Sequence, residues 1–509
     1  MTPAIRYEQR RDRYTVSTET NSLSDGIGHA LVIGGSMAGL FAARVLSEHF
    51  ERVTILERDR FPDGPKFRKG VPQSRHLHGF MIRGRRISDR LFPGLSEELE
   101  EAGAVPLDSA NDFEWLTPAG FAPRFSSGLP LLMSSRDLLE WTVRKRVAAL
   151  PQVTFLEKTD VTGLLPTPNG EGVAAVKLRS RKAKGAARGQ ELLRADLVVD
   201  ASGRNSNASK WLKALGYTPP EETYINSHLG YASRVYRRPE RFEQDWKGLN
   251  AQATPPEVTC GGVLLPLEGD RWMVTLSGLG GDHPPTDEAG FMDFARSLRT
   301  PLLYEAIRDA EPLSAISGYR DTENRRRHYE KLSRQPNNFL VTGDAACAFN
   351  PVYAQGMTTA ALGAEVLEEC LCESHALTGL SKRFQKRLAK ATAGSWLLAT
   401  GEDFRVRDVE GGKASFATRL THRYMDQVLA LSLRDIGVRR TFLEVFHMLK
   451  PPTALFGPSV VAKVLRGAIP RVTEEKRTTM RRPRTGSHTY LKAAYGASDE
   501  LRPRRKEVT

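Results

Sequence analysis

The stretch His29–Leu40, HALVIGGSMAGL, constrains this chain more than any other segment. A short apolar run enters a glycine turn, and Ala38, Phe41, Ala42, Val45, Leu46 and His49 then recur at helical spacing. RVTILERD follows as a second strand and ends on Glu57, 23 residues after Gly34. Strand, glycine turn, helix, strand and terminal acid form the βαβ unit that receives a dinucleotide. In such a unit the helix N-terminus faces a pyrophosphate and the acid bonds a ribose hydroxyl. The candidate contacts are therefore Gly34, Gly35, Ser36, Met37, Ala38 and Gly39 in the turn, with Glu57 and its neighbour Arg58. Ser36 stands where the second spaced glycine belongs. Serine is small and its hydroxyl is a donor, so the turn is expected to stay competent for phosphate.

A second cluster starts at Asn338, and its Gly343 lies 309 residues after Gly34: NFLVTGDAACAFNPVYAQGMTTAALGAEVLEEC. FLVTGD reads as a strand ending in Gly343-Asp344. From Gly356 the composition turns helical, with Met357, Ala360, Ala361, Ala364 and Leu367 on one face. A strand, an Asp, a turn containing Pro351 and a small-residue helix would aim a carboxylate and a positive helix end at one polar ligand.

With these residues the chain resembles the single-component FAD-dependent aromatic hydroxylase superfamily, the class A flavoprotein monooxygenases. The segments that carry the resemblance are Gly34 to Gly39, Glu57, FRKGVPQ with Arg68, SSRDLLEWTV with Arg136, VVDASGRNS, and GDAACAFNPVYAQGM. They fall in order over residues 29 to 395. RKGVPQSRHLH, GDRWMVTLSG and AFNPVYAQGMT look closest to bacterial polyene epoxidases of polyether biosynthesis. The resemblance implies an α/β fold: a Rossmann-like FAD-binding domain, an inserted β-rich substrate domain and a helical C-terminal region. It implies that Asp344 holds the flavin ribityl chain and that Arg68 and Arg136 contact flavin or phosphate. Pro351, Gly356 and Met357 are then expected to border the isoalloxazine.

Two departures bear on function. Ser202 stands where the superfamily has an Asp linked to both flavin and nicotinamide binding, so FAD is expected more firmly than direct reduction by NADPH or NADH; a separate flavin reductase is the alternative electron source. Ala354 and Cys347 replace a common glycine and histidine, departures that bear on the substrate side more than on the flavin side. The implied chemistry passes one oxygen atom from a flavin C4a-hydroperoxide to an alkene or arene, an epoxidation or hydroxylation that needs a dry site and a held substrate. The partners are a lipophilic small molecule and molecular oxygen. A flavin halogenase would need a Trp-x-Trp-x-Ile-Pro signature, which none of the six tryptophans provides. An isoprenoid reductase and a non-catalytic basic binding protein are the remaining alternatives.

The rest of the chain is read from patterning. Residues 1–28 are expected to form a disordered extension, 29–212 and 321–395 the two parts of the FAD-binding domain, and 213–320 a β-rich substrate domain. Helices are expected over 396–470 and a basic tail over 471–509, with RKAKGAARGQ as an exposed loop. Tyr231, Tyr236, Trp272 and Met273 are either cavity-lining or ordinary sheet packing. NRRRHYEKLSRQPNN reads as a charged, solvated connector. A net charge of +14 is dispersed and partly placed in the ends, which argues against specific nucleic-acid binding and leaves weak membrane-surface association open. Cys260, Cys347, Cys370 and Cys372 have neither disulfide-framework nor zinc spacing, and His76 and His78 lack companion ligands, so a loop or packing role is expected for the histidines. No apolar run suits a membrane span or signal peptide, and a cytoplasmic protein is expected.

Overall fold

The computed structural model describes residues 27–181, 191–374 and 376–468. The N-terminal extension to residue 26, the loop over 182–190 and the basic tail lie outside the described residues. Ile27 and Gly28, read as part of the extension, open the first strand.

Five parallel strands form the central sheet, in the order Phe339–Val341, Leu197–Asp200, Ile27–Ile33, Phe50–Leu56 and Val153–Leu156. Ala30, Leu31 and Val32 are wholly buried, as are Leu197, Val198 and Val199. That explains why these strands read as continuous apolar runs: a parallel sheet is covered on both faces. The helix Met37–Leu46 covers one face through Leu40, Phe41, Val45 and Leu46, and packs on the long helix Gly356–Glu373. Chain order reverses on either side of Ile27–Ile33, and ligands of such sheets bind beyond the carboxyl ends at that reversal.

A mixed seven-stranded sheet forms the second layer, in the order Ser317–Tyr319, Gly230–Arg237, Arg271–Gly278, Cys260–Leu267, Gly248–Ala251, Phe113–Thr117 and Gly120–Phe121. Its last two strands come from well before residue 213. Alternation divides its side chains. Tyr236 and Trp272 pack beneath Phe291 and Leu303 of two covering helices, whereas Tyr231, Ser233 and Met273 point to the opposite face.

The expected C-terminal helices are present as Phe416–Ser432, Ile436–Phe446 and Pro458–Ala468. No described helix is long and apolar enough to cross a membrane. One expectation needs correction. The connector NRRRHYEK is not simply solvated, because Asn324–Arg327 is a strand in which Asn324 and Arg327 are buried. Arg327 is held by Glu222 at 2.9 Å and by the Ala345 carbonyl at 2.8 Å, so pairing absorbs the charge that the sequence suggested was facing water.

Candidate functional site

The carboxyl ends of the parallel strands bring the two sequence signatures together. Gly34 N–H donates to the Leu56 carbonyl at 2.9 Å and Ala201 N–H to the Ile33 carbonyl at 2.9 Å, which sews three strand ends side by side. Gly34 has φ +101°, and a Cβ there would lie 2.6 Å from the Ala201 carbonyl oxygen, so only glycine fits. Across the reversal, Gly343 at φ +59° approaches so closely that an added Cβ would lie 2.7 Å from Ala38 Cβ. Two turns separated by 309 residues therefore abut.

Ser36 occupies the N-cap position of the helix Met37–Leu46 without capping it. Its hydroxyl donates to Glu140 Oε2 at 2.7 Å and accepts from Arg136 Nη2 at 2.7 Å. Arg136 begins a helix, Arg136–Ala148, whose start is fixed by Ser135 Oγ accepting from Leu138 N–H at 3.1 Å. Arg68 reaches Glu140 at 3.0 Å and Glu57 at 3.2 Å. Glu57 also accepts from Gly35 N–H at 2.9 Å. All four charged side chains are buried, alternating in sign around the turn. Burial works to raise the Glu140 carboxyl, but Arg136 and Arg68 outweigh it and hold it at about 2. Arg58, by contrast, is exposed.

Asp344 has no hydrogen-bond or ion-pair partner among the described residues. Burial pushes its carboxyl up against the pull of Arg204 and Arg136. A Cβ on Gly356 would lie 3.9 Å from Asp344 Oδ1, which puts this carboxylate at the start of the Gly356–Glu373 helix. Gln355, the N-cap residue, makes no cap bond, and its buried Oε1 is unpartnered. Arg68 Nη2 and Arg136 Nε are likewise buried without partners. A flavin dinucleotide fits this donor set: two uncapped helix starts and two guanidiniums suit its phosphates, and a free carboxylate suits hydroxyls of its sugar chain.

Beside the turns, a cleft is lined by His78, Phe80, Arg136 and Met357. It adjoins a recess that shares His78 and Arg136 and adds His76, Leu265 and Met273. His76 packs against the seven-stranded sheet: its Nδ1 lies 2.9 Å from Ser233 Oγ and its ring meets Tyr231 edge-on at 4.6 Å. Burial, then Arg75, pushes His76 down to about 4; burial, then Arg136, pushes His78 to about 3. Both rings are neutral at pH 7. Of the four sheet positions singled out in the sequence, Tyr231 and Met273 reach this side, while Tyr236 and Trp272 belong to the sheet core.

The loop carrying Pro351 is anchored from the C-terminal region. Asp403, wholly buried at the end of the helix Ala393–Asp403, accepts from Asn324 Nδ2 at 2.6 Å, Asn350 Nδ2 at 3.0 Å and the Tyr353 hydroxyl at 2.8 Å. Burial raises its carboxyl to about 6 despite these donors. Ala354, the residue in the usual glycine position, sits at φ +53°, where glycine would be unstrained. Its Cβ lies beside Gly79 of the histidine loop, where an added Cβ would come within 3.0 Å.

Sequence reasoning missed Glu140, Asp403 and the cleft-facing position of the two histidines. Glu140 had a signal, since Arg136, Glu140, Val143 and Val147 form one buried stripe at helical spacing. Asp403 had none.

Residues 29–383 match the FAD binding domain family, and the chain belongs to it, within the class A flavoprotein monooxygenase superfamily. Among individual proteins, it is 32% identical over 431 residues to Protein Rv3254 of Mycobacterium tuberculosis, covering 83% of this chain and 90% of that one. It is 27% identical over 383 residues to 6-methylpretetramide 4-monooxygenase of Streptomyces rimosus, covering 70% and 78%. The fold matches p-nitrophenol 4-monooxygenase from Pseudomonas putida with a TM-score of 0.59 at 18% identity, over 84% of this chain and all of that one, 100%. Flavin-dependent brominase Bmp2 matches with a TM-score of 0.59 at 14% identity over 86% and 100%, so fold alone does not separate these chemistries.

Proposed function

We propose that this flavoprotein inserts one atom of molecular oxygen into a C=C bond or aromatic ring of a large, mostly apolar natural product. The single observation that carries the reading is the contact of the Gly343-Asp344 turn with Ala38 in the pyrophosphate turn, since one extended FAD would touch both. In this reading Gly34, Gly35, Ser36, Met37, Ala38 and Gly39 receive the pyrophosphate, aided by Arg136 and Arg68. Glu57 bonds the adenosine ribose and Asp344 the ribityl chain. Bound and reduced, the flavin supplies activated oxygen.

The chain's own part is positioning and exclusion of water. Pro351, on the loop that Asn350 and Tyr353 tie to Asp403, and the helix start at Gly356 and Met357 would border the ring, where amide N–H groups would favour its anionic reduced form. Neutral His76 and His78, with Phe80, Leu265 and Met273, offer a largely apolar wall for substrate. NADPH or NADH would supply two electrons, directly or through a separate reductase. One oxygen atom then leaves in product and the other as water. The 6-methylpretetramide 4-monooxygenase relative supports a fused aromatic substrate class; the polyene epoxidase likeness supports an alkene.

The test is mass spectrometry of products from lipophilic alkenes and polycyclic arenes, under isotopically labelled oxygen with FAD and a reducing system. Products carrying one labelled atom are expected. Product formed equally well without oxygen would replace this reading with an alkene reductase, and halide incorporation with a halogenase.

A further inference from the structure

Arg439 projects from the helix Ile436–Phe446 and is 1% exposed, yet nothing among the described residues answers its charge. Its Nε and Nη1 are buried without hydrogen-bond partners. Nearby acids are engaged elsewhere: Asp435 pairs with Lys463 at 2.8 Å, and Glu444 with Lys450 at 2.7 Å. The guanidinium instead lies 4.7 Å from the Trp115 ring centroid and 5.5 Å from that of Phe442. His447, at the end of the same helix, is 2% exposed, and neither ring nitrogen has a partner. Burial alone pulls Arg439 down to about 10; burial, then Arg439, pulls His447 down to about 3.

A core that buries a guanidinium and an imidazole with no acceptor between them is carrying a cost that packing does not explain. Aromatic rings surround the pair: Trp115 meets Phe446 at 5.3 Å, and Phe446 meets His447 at 5.2 Å. The place also has a relation to the flavin side. The His447 carbonyl accepts from Arg83 N–H at 3.3 Å, in the helix Ile82–Leu91. One residue on, a Cβ at Gly84 would fall 2.8 Å from Thr358 Oγ1, and Thr358 follows Met357. A single helix therefore separates His447 from the helix start assigned to the flavin ring, and Trp115 belongs to the substrate sheet.

Resting on the monooxygenase reading above, we propose that Arg439 anchors a subsite for an ionised oxygen of an aromatic substrate, whose rings pack on Trp115, Phe442 and Phe446. An anionic oxygen would accept from the two unpartnered guanidinium nitrogens, Nε and Nη1, and answer the buried charge. The same rings that now stack on the guanidinium would hold the ligand's apolar faces.

The test uses the full-length, FAD-loaded protein and calorimetric titration with three probes: 1-hydroxy-2-naphthoate, 2,4-dinitro-1-naphthol, which is ionised at neutral pH, and neutral 1-naphthol. The wild type is expected to bind at least one anion about tenfold or more tighter than 1-naphthol, and which anion does so distinguishes carboxylate from phenolate. Arg439→Met should erase that preference while leaving 1-naphthol affinity within about twofold, and Arg439→Lys should keep part of it. Ligand-free Arg439→Met should melt at or above the wild-type temperature, because it removes a buried unpaired charge. An arginine that is only structural would melt lower on this change. A wild type with no preference for the anions, or an Arg439→Met variant that keeps it, overturns the subsite. Binding is read without turnover, so failure here is distinct from failure to incorporate labelled oxygen.

Discussion

The Ser36 hydroxyl donates to Glu140 Oε2 at 2.7 Å, joining residues 104 apart in sequence. The serine that breaks the glycine pattern of the turn is thus one member of a buried charge network. It links the first helix to the helix Arg136–Ala148, and Arg136 stays paired with Glu140 at 2.9 Å independently of it.

This arrangement predicts opposite outcomes at two neighbouring positions. Gly34→Val is expected to lose FAD, because the turn has φ +101° and no room beside the Ala201 carbonyl. Ser36→Gly is expected to retain it with an affinity loss within about tenfold, ~1.4 kcal/mol, since Arg136 and Glu140 remain paired. Flavin absorbance per purified chain reads both, and equal occupancy in the two variants would show that this turn is not the binding site.

Glu140 is expected to matter more than the serine it holds. Glu140→Ala leaves Arg136 and part of Arg68 buried without a counter-charge, at a cost of about 3–5 kcal/mol. The sign of the pH dependence follows from the direction of its shift. A carboxyl lowered from 4.5 to about 2 contributes stability that is present above 4.5 and lost as pH falls toward 2. Denaturant midpoints at pH 7 and pH 3 should therefore converge between wild type and variant; a constant gap would contradict the network.

His76 acts in the adjacent acid window. Its value is lowered from 6.5 to about 4, so the unfolded chain takes up a proton that the folded one refuses. Its contribution is complete above 6.5 and fades as pH falls toward 4, by about 1.4 kcal/mol per pH unit. His76→Phe should flatten the stability profile by that amount between pH 6 and pH 4.5. Identical slopes in the two proteins would mean that the ring is not buried neutral.

Asp403 is expected to affect coupling rather than cofactor content. Asp403→Ala removes the acceptor shared by Asn324, Asn350 and Tyr353, at about 1–3 kcal/mol, and frees the loop carrying Pro351. FAD content should be unchanged while more of the reducing equivalents appear as hydrogen peroxide and fewer as product. Because burial raises Asp403 from 3.8 to about 6, its protonated form favours folding below 3.8, and that advantage is lost as pH rises through 6. Wild-type coupling in the variant would remove Asp403 from the positioning role.

Most of the cofactor framework is legible in the sequence because its determinants are local. Gly34, the apolar spacing of Phe41, Val45 and Leu46, and the strand leading to Asp344 each depend on residues within a turn or two. The histidine loop was harder to read. His76 and His78 carry no signal distinguishing packing from a cleft wall until Ser233 and Tyr231, more than 150 residues away, are brought against them. The NRRR segment departs from its sequence pattern for a related reason: charge in sequence looks solvated until its partners are known.

By itself, then, the sequence determined a parallel α/β fold, its FAD signature and the helical end of the chain, since periodicity, turn geometry and strand termini are properties of neighbours along the chain. Tertiary structure alone decided which charges meet, which carboxylate is left free and which face of each sheet strand lines the cleft. Glu140 is paired and Asp344 is not. Arg327 is satisfied and Arg439 is not. Those differences arise from desolvation and from groups brought together by packing, neither of which is written at any single position.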